Sequence, residues 1–174
     1  MATNLLLTNI QTQRLQFRKL TENDFEAWLP FFQSKEATAY SGFDITKAEE
    51  NCKLWLENIF KRYQDNNGLM ALEDKETGVL IGQCGLLKQR VDEVDEIEIG
   101  YHILPQYWQK GYAVEAAIKC KEEGFKMGIS SIISIIHPDN YKSIKVDEHN
   151  GMVFEKETIF REHKVKIYRV KNKH

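Results

Sequence analysis

The chain has 174 residues, 42 % of them hydrophobic, and a formal net charge of −2. A chain of this length most simply forms one domain, here spanning 1–174, that buries enough surface to fold without a metal or a disulfide. Its nearly balanced charge gives no general field for attracting nucleic acid or an anionic membrane, so neither is expected as a partner.

The three cysteines are widely spaced and form no C-x-x-C pair. This pattern indicates neither a disulfide framework nor a zinc site, and a reducing cytoplasm with no metal cofactor is expected. The apolar run Leu5-Leu6-Leu7 is too short for a signal peptide, and no run approaches the roughly 20 apolar residues of a membrane span.

The first third of the chain predicts a strand followed by two helices. Residues 12–19 alternate apolar and polar side chains, as a half-buried strand does. Thr21 begins a capping box and starts a helix that Pro30 is expected to kink or end.

A second helix is predicted to start at Thr46, with Glu49 completing its cap. Apolar positions then recur at helical spacing and indicate a face packed on a sheet rather than a ligand site. These positions are Cys52, Trp55, Leu56, Ile59, Phe60 and Tyr63.

The middle of the chain predicts three successive antiparallel strands, near residues 69–73, 79–89 and 97–103. A helix from Gly111 to Met127 follows. The β-branched run 130–136 then predicts a buried strand that lies parallel to the 97–103 strand, because a helical crossover joins the two.

The last part of the chain predicts a short helix from Asp139 or Asn140 that ends at Asn150-Gly151, and then a hairpin over 152–157 and 164–171. The order is therefore β α α β β β α β α β β. We expect an α+β fold in three α/β/α layers, with a mixed, mostly antiparallel sheet of about seven strands, one parallel pair and about four helices.

The loop between the third of these strands and its helix offers successive backbone N–H groups at the positive end of the helix dipole, an arrangement that suits a phosphate. Simple loop geometry is the alternative interpretation. Neither the P-loop pattern nor G-x-G-x-x-G occurs in the chain, which disfavours both of those nucleotide folds. The loop residues are Trp108, Gln109, Lys110, Gly111, Tyr112 and Ala113.

The stretch E-I-G-Y-H-I-L-P-Q-Y-W-Q-K-G-Y-A-V-E-A, which begins at Glu98, resembles the Gcn5-related N-acetyltransferase (GNAT) superfamily and, within it, the branch that acetylates ribosomal-protein N-termini. In that superfamily a [QR]-x-x-G-x-[GA] motif binds the pyrophosphate of acetyl-CoA. Here Trp108 and Ala113 replace two motif residues, as is common in that branch. The resemblance covers nearly the whole chain and implies acetyl-CoA as co-substrate, with its phosphates held by backbone amides.

A second motif, Asn140-Tyr141-Lys142-Ser143 followed by Gly151-Met152, also matches that branch. The resemblance implies that Asn140 and Ser143 face the pantetheine arm and the sulfur of CoA, although Asn140 equally suits a helix cap. Many superfamily members carry a Tyr general acid seven residues after the Asn. Asp147 occupies that position here, which leaves open how the thiolate is protonated.

Acetyl transfer from a thioester requires a neutral amine, a polarised carbonyl and a way to accept the thiolate. Glu98 is the first candidate for the base, with solvent contact as its alternative role, and His102 is the second candidate. Backbone N–H groups around His102, Ile103 and Leu104 are expected to bind pantetheine or polarise the carbonyl, if a bulge or splay frees them from the sheet.

Five carboxylates lead into this region and would favour a cationic amine, although a solvated hairpin tip explains the first four equally well. They are Asp92, Glu93, Asp95, Glu96 and Glu98, of which Glu96 and Glu98 are candidates for substrate binding. The aperiodic segment 34–45, with Tyr40 and Phe43, is expected to form the opposite wall.

These features predict an acetyl-CoA-dependent N-acetyltransferase in which a primary amine, on a protein N-terminus or a small molecule, attacks directly. The alternatives are a non-catalytic acyl-CoA-binding or sensor domain and a polyamine- or aminoglycoside-type acetyltransferase. A nucleic-acid module carries little weight, because the cations of the C-terminal hairpin alternate with apolar residues. Both a monomer and a homodimer are compatible with the sequence.

Overall fold

The computed structural model describes residues 3–173, which contain seven strands and four α-helices. The elements are β1 (Leu15–Arg18), α1 (Phe25–Gln33), α2 (Ala48–Gln64), β2 (Gly68–Asp74), β3 (Leu80–Val91), β4 (Val94–Ile103), α3 (Tyr112–Lys126), β5 (Ser131–Ile136), α4 (Tyr141–His149), β6 (Val153–Phe160) and β7 (His163–Lys171). One sheet joins the strands in the order β1-β2-β3-β4-β5-β7-β6. The predicted fold class and element order are confirmed.

The sheet is antiparallel except where β4 and β5 meet. The β3–β4 pairing runs without a register shift from Gly82 and Ile103 to Val91 and Val94. The parallel pair, by contrast, shares register at one position, where Glu98 lies opposite Ile133. The two parallel strands therefore separate toward their C-terminal ends and open a gap in the middle of the sheet.

Two helices cover each face of the sheet. On one face α1 and α2 bury Trp28, Phe32 and Leu56 against sheet residues such as Leu87. On the other face α3 and α4 bury Ala116, Ala117, Cys120 and Ile144 against Leu86, Ile99 and Ile132. Burying these apolar side chains removes them from water and holds β4 rigidly between two layers.

The predicted apolar face of α2 is confirmed, because Cys52, Leu56 and Ile59 are buried and the three aromatic positions are partly buried. The predicted start of that helix is wrong. Asp44, not Thr46, provides the cap: its carboxylate accepts hydrogen bonds from the N–H and the hydroxyl of Thr46, at 2.9 and 2.7 Å. These bonds cap a 3-10 turn over Ile45–Lys47, and the α-helix begins only after it.

Near the first helix, the Thr21 capping box is confirmed, and it caps a 3-10 turn that leads into α1. Pro30 does not end α1, which continues to Gln33. Proline removes one backbone hydrogen bond from a helix interior. Burial of Trp28, Phe31 and Phe32 on the core-facing side of α1 offsets that loss.

No helix within residues 3–173 is both long and apolar enough to cross a membrane. The same residues contain no group of three or more His, Cys, Asp or Glu side chains placed to hold a metal ion. All three cysteines are buried and unbridged.

Candidate active site

Backbone groups of β4 face the gap that β5 leaves. The N–H of Leu104 donates to the carbonyl of Ile81 at 3.0 Å, at the end of the β3–β4 ladder. Because N–H groups alternate in direction along an antiparallel strand, the N–H of His102 also points to β3, whereas those of Tyr101 and Ile103 point into the gap. The gap is thus a splay and not a bulge, and of the three N–H groups expected to be free, only that of Ile103 faces it.

A cavity of about 220 Å³ occupies the gap and reaches both faces of the sheet. Glu98 and His102 line it from β4, together with aromatic side chains of the α1–α2 layer, Phe31, Tyr40 and Trp55. Tyr101, Asn140 and Ser143 line it from the α4 side. The structure therefore brings together five residues predicted for the site from distant parts of the sequence: Tyr40, Glu98, His102, Asn140 and Ser143.

The Glu98 carboxylate opens onto this cavity and is held by neighbouring donors. The side-chain amide of Gln89 donates to it at 3.0 Å, and the backbone N–H of Ile135 hydrogen-bonds to it where the β4–β5 ladder is interrupted. Burial raises the pKa of Glu98, while these hydrogen bonds and the positive charges of Arg62 and Arg161 oppose the rise. A carboxylate with a raised pKa is a better proton acceptor than an ordinary one.

His102 lies among aromatic rings. Its ring makes edge contacts with Phe31 and Trp55, at centroid distances of 5.6 and 5.0 Å. Burial lowers the pKa of His102 to about 4, so the imidazole is neutral at physiological pH. Moving a proton to it from an α-amino group of pKa near 8 would be uphill by about 5 kcal/mol, which favours Glu98 as the base.

The start of α4 places two predicted residues at the opposite end of the cavity. The Asn140 side chain accepts a hydrogen bond from the N–H of Ser143 at 3.3 Å, so Asn140 caps the helix. The side chain of Ser143 lies in the first turn of that helix and lines the cavity. A hydroxyl here can donate a hydrogen bond to a group bound in the cavity.

Behind Ser143 lies a pair that the sequence did not reveal. The Tyr101 hydroxyl is 2.9 Å from the carbonyl oxygen of Ser143 and 3.0 Å from Oδ1 of the buried Asp147. Burial raises the pKa of Asp147 to about 7, and the negative charge of Glu98 adds to the rise. Tyr101 and Asp147 are 46 positions apart, and no local pattern links them.

The predicted phosphate loop has two residues in the left-handed region, Gln109 at φ 63° and Gly111 at φ 82°. A Cβ added at Gly111 would lie 3.5 Å from the guanidinium of Arg14, so that cation borders the loop. Arg14 is fixed by Glu115 at 2.7 Å and by the carbonyl of Lys110 at 2.9 Å. A left-handed glycine, a helix N-terminus and an adjacent guanidinium suit a phosphate group.

The sequence did not predict a role for Arg14, which precedes β1 and lies almost 100 residues away from the loop.

Trp108 contributes in a different way than a phosphate donor would. Its indole N–H donates to the carbonyl of Ile103 at 2.7 Å, and the ammonium group of Lys142 lies 4.3 Å from its ring centre. Trp108 thereby ties the loop to the end of β4 and to α4.

The acidic residues of the β3–β4 turn and of the start of β4 lie outside the cavity. Three of them are paired with cations: Asp92 with Lys156, Asp95 with Arg90, and Glu96 with Arg169. Glu96 in particular is bidentate to Arg169, at 2.7 and 3.0 Å. Phe43 packs behind the cavity wall, against Phe32 and Trp55. Among the residues expected to bind the acceptor, the structure thus brings Tyr40 and Glu98 to the cavity.

Comparison with known proteins gives a consistent result. The acetyltransferase (GNAT) domain family matches residues 14–153. The N-acetyltransferase YoaA of Bacillus subtilis, itself uncharacterized, is 30 % identical over 156 residues, which are 88 % of this chain and 86 % of YoaA.

Two solved structures share the fold. An acetyltransferase from Agrobacterium tumefaciens is 25 % identical, with a TM-score of 0.72 and 92 % of each chain covered. RimL, a ribosomal L7/L12 α-N-protein acetyltransferase solved in complex with coenzyme A, has a TM-score of 0.74 at 14 % identity, covering 94 % of this chain and 97 % of RimL. At that identity the likeness to RimL concerns the fold alone.

Proposed function

The chain belongs to the acetyltransferase (GNAT) family and is an acetyl-CoA-dependent N-acetyltransferase; on that premise we propose that a primary amine attacks the acetyl group directly, inside the cavity between β4 and β5. The cavity supports this proposal, because the Glu98 carboxylate lines one end of it and the hydroxyl-bearing side chains of Tyr101 and Ser143 line the other. An amine entering from the α1–α2 face meets Glu98, and a thioester entering from the α4 face meets Ser143.

Several groups of this chain fit acetyl-CoA. The loop from Gln109 to Ala113 offers N–H groups at the start of α3, Gly111 without a Cβ, and the adjacent guanidinium of Arg14 to the phosphates, whereas the N–H of Trp108 donates to the carbonyl of Pro105. The N–H groups of Tyr101 and Ile103 face the gap and suit the amide groups of an extended pantetheine arm or the acetyl carbonyl. When bound, acetyl-CoA supplies an activated thioester, so the chain needs no covalent nucleophile.

Glu98 is proposed to take the proton from the incoming ammonium group. The hydrogen bonds from Gln89 and Ile135 hold its carboxylate at the cavity. Its raised pKa makes the difference between its own pKa and that of the amine smaller. Ser143 is proposed to donate its hydroxyl to the departing sulfur. These roles divide the reaction between the two ends of the cavity.

The acceptor is proposed to be a primary amine of a protein N-terminus or of a small molecule. An α-amino group has a pKa near 8 and a lysine side chain one near 10.4. Because Glu98 is a carboxylate, it removes a proton more easily from the less basic amine, which favours an α-amine. The three free thiols agree with a reducing, cytoplasmic location.

Turnover of acetyl-CoA across a panel of peptides and small amines, with thiol release as the readout, tests this proposal. We expect α-amines to react faster than lysine side chains at neutral pH. Acetyl-CoA at ~100 times its Kd should also stabilise the fold by about 2.7 kcal/mol. An unchanged melting temperature at saturating acetyl-CoA would contradict the proposed function.

A further inference from the structure

The hydrogen bonds around Tyr101 determine where one buried proton lies. The Tyr101 hydroxyl has one hydrogen but two acceptors within reach, the Ser143 carbonyl at 2.9 Å and Asp147 Oδ1 at 3.0 Å. It can donate to one of them. If it donates to the Ser143 carbonyl, its contact with Asp147 is a hydrogen bond only when Asp147 carries a proton and donates it to the Tyr101 oxygen.

The surroundings of Asp147 agree with a protonated carboxyl. Its side chain is fully buried, and its second oxygen, Oδ2, has no hydrogen-bond partner among residues 3–173. The hydroxyl of Ser134 is 3.6 Å from the sulfur of Met152. It also lies close to Asp147 and lowers the pKa of that carboxyl, but by less than burial raises it. A buried carboxylate without a cation and with so few donors is costly, whereas a neutral carboxyl is not.

Other titratable and charged groups near the pair do not favour ionisation. Those that interact with the pair are Glu98 on β4, Cys84 on β3 and Tyr168 on β7, and Glu148 on α4 interacts with Tyr168. A negative charge on Glu98 disfavours a second one on Asp147. The ammonium group of Lys121 is engaged by the carbonyl of Asn150 at 2.9 Å, at the far end of α4.

We propose that Asp147 is the proton source for the departing thiolate and that Tyr101 carries the proton from Asp147 into the cavity. Tyr101 lines the cavity beside Ser143, whereas Asp147 is sealed from solvent and reaches the cavity through the Tyr101 hydroxyl. This inference rests on the proposed acetyl transfer. In it Tyr101 is the catalytic residue, and Asp147 acts through it.

As the carbon–sulfur bond breaks, the Tyr101 hydroxyl turns its hydrogen from the Ser143 carbonyl to the sulfur and transfers it, while the Asp147 proton moves to the Tyr101 oxygen; Asp147 is then ionised and accepts from Tyr101. The acceptor nitrogen loses two protons between ammonium and amide. One of them replaces the proton of Asp147, and the other is released to solvent, so each turnover restores both carboxyl groups.

Infrared spectroscopy of the free protein tests the first half of this proposal without any substrate. We expect a C=O stretch of a protonated carboxyl at about pH 6 that is lost by about pH 8, that persists in Glu98→Gln and that is missing from Asp147→Asn. Tyr101→Phe should keep the band, because it leaves the buried carboxyl in place. Absence of the band from the wild-type protein at the lower pH would overturn the proposal.

Kinetics test the second half. Asp147→Asn and Tyr101→Phe should each lower kcat by at least about 10²-fold below pH 7 and abolish the fall of kcat above pH 7, while the KM for acetyl-CoA changes little. Tyr168→Phe, which removes the hydroxyl of another largely buried tyrosine that does not line the cavity, is the control and should keep the wild-type profile.

If Tyr101 and Asp147 had only a structural role, each variant would lower kcat equally at every pH. That result would overturn the proton relay but not the proposed acetyltransferase function. If Asp147→Asn does not fold, Tyr101→Phe and the wild-type band carry the test. Failure of the wild-type protein to release thiol with every amine would instead overturn the proposed function, and the relay with it.

Discussion

Replacement of Asp147 by Asn should change how the stability of the protein depends on pH. Burial raises the pKa of Asp147 to about 7 in the folded protein, whereas an Asp in an unfolded chain has a pKa near 3.9. Between these values the folded state holds a proton that the unfolded state has lost. The contribution of Asp147 to stability therefore falls as the pH rises from about 4 to about 7, and is constant above that.

The magnitude follows from the pKa difference. From pH 5 to pH 8 the wild-type protein should lose about 2.7 kcal/mol that Asp147→Asn does not lose, because one pKa unit corresponds to about 1.4 kcal/mol. In a chain of this length that loss corresponds to about 5 to 11 °C in Tm. The variant should thus gain relative to the wild-type protein as the pH rises, although it lacks the native side chain.

Urea unfolding of both proteins at several pH values between 5 and 8, followed by tryptophan fluorescence, measures this difference. Asp139→Asn, in an exposed loop position, is the matched control, and its difference from the wild-type protein should not vary with pH. A difference for Asp147→Asn that is likewise independent of pH would refute the reasoning, because Asp147 would then be ionised in the folded state.

Three further variants test individual parts of the site. Gly111→Val should obstruct the approach of the phosphates and raise the KM for acetyl-CoA far more than the KM for the amine. Gly128→Val is the control: it has a similar positive φ and lies in open space, so it should strain the backbone without affecting either KM. Gln89→Leu removes the hydrogen bond that favours ionised Glu98, so the rising limb of the kcat/KM profile should move up by about one pH unit; an unmoved limb would show that Gln89 does not tune the base. Ser143→Ala should lower kcat with a defect that persists at high pH, since a hydroxyl that stabilises the sulfur is not needed for amine deprotonation; a defect that disappears there would contradict this role.

Much of the fold could be predicted because local patterns and tertiary packing agree in this chain. The stripe of α2 is apolar at helical spacing and is buried on the sheet, and the β-branched run of β5 is buried on both faces. The errors occurred at helix ends. Asp44 lies two residues before the predicted cap and accepts from the N–H of Thr46 itself, and Pro30 is tolerated because aromatic burial outweighs one lost hydrogen bond.

The site could be predicted where it follows one strand and its loop, and not where it joins distant elements. Alternation along β4 places Glu98 and His102 on one face, and both line the cavity. The sequence gives no indication that Arg14 borders the phosphate loop or that Tyr101 contacts Asp147, because tertiary packing alone brings these pairs together. Nor does the acidic run from Asp92 to Glu98 indicate that Glu96, on β4, is held by Arg169.

Glu98→Gln tests the central claim most directly, because it keeps the shape of the side chain and removes its basicity. The control is Glu57→Gln on the exposed side of α2, which should behave as the wild-type protein does. With thiol release measured from about pH 6 to about pH 9, we expect Glu98→Gln to lower kcat by about 10² to 10⁴ near neutral pH. The loss should shrink as the pH rises and the acceptor amine becomes neutral on its own, while the affinity for acetyl-CoA barely changes. Near-normal turnover across the range, or a loss that is the same at every pH, would contradict the assignment of Glu98 as the base.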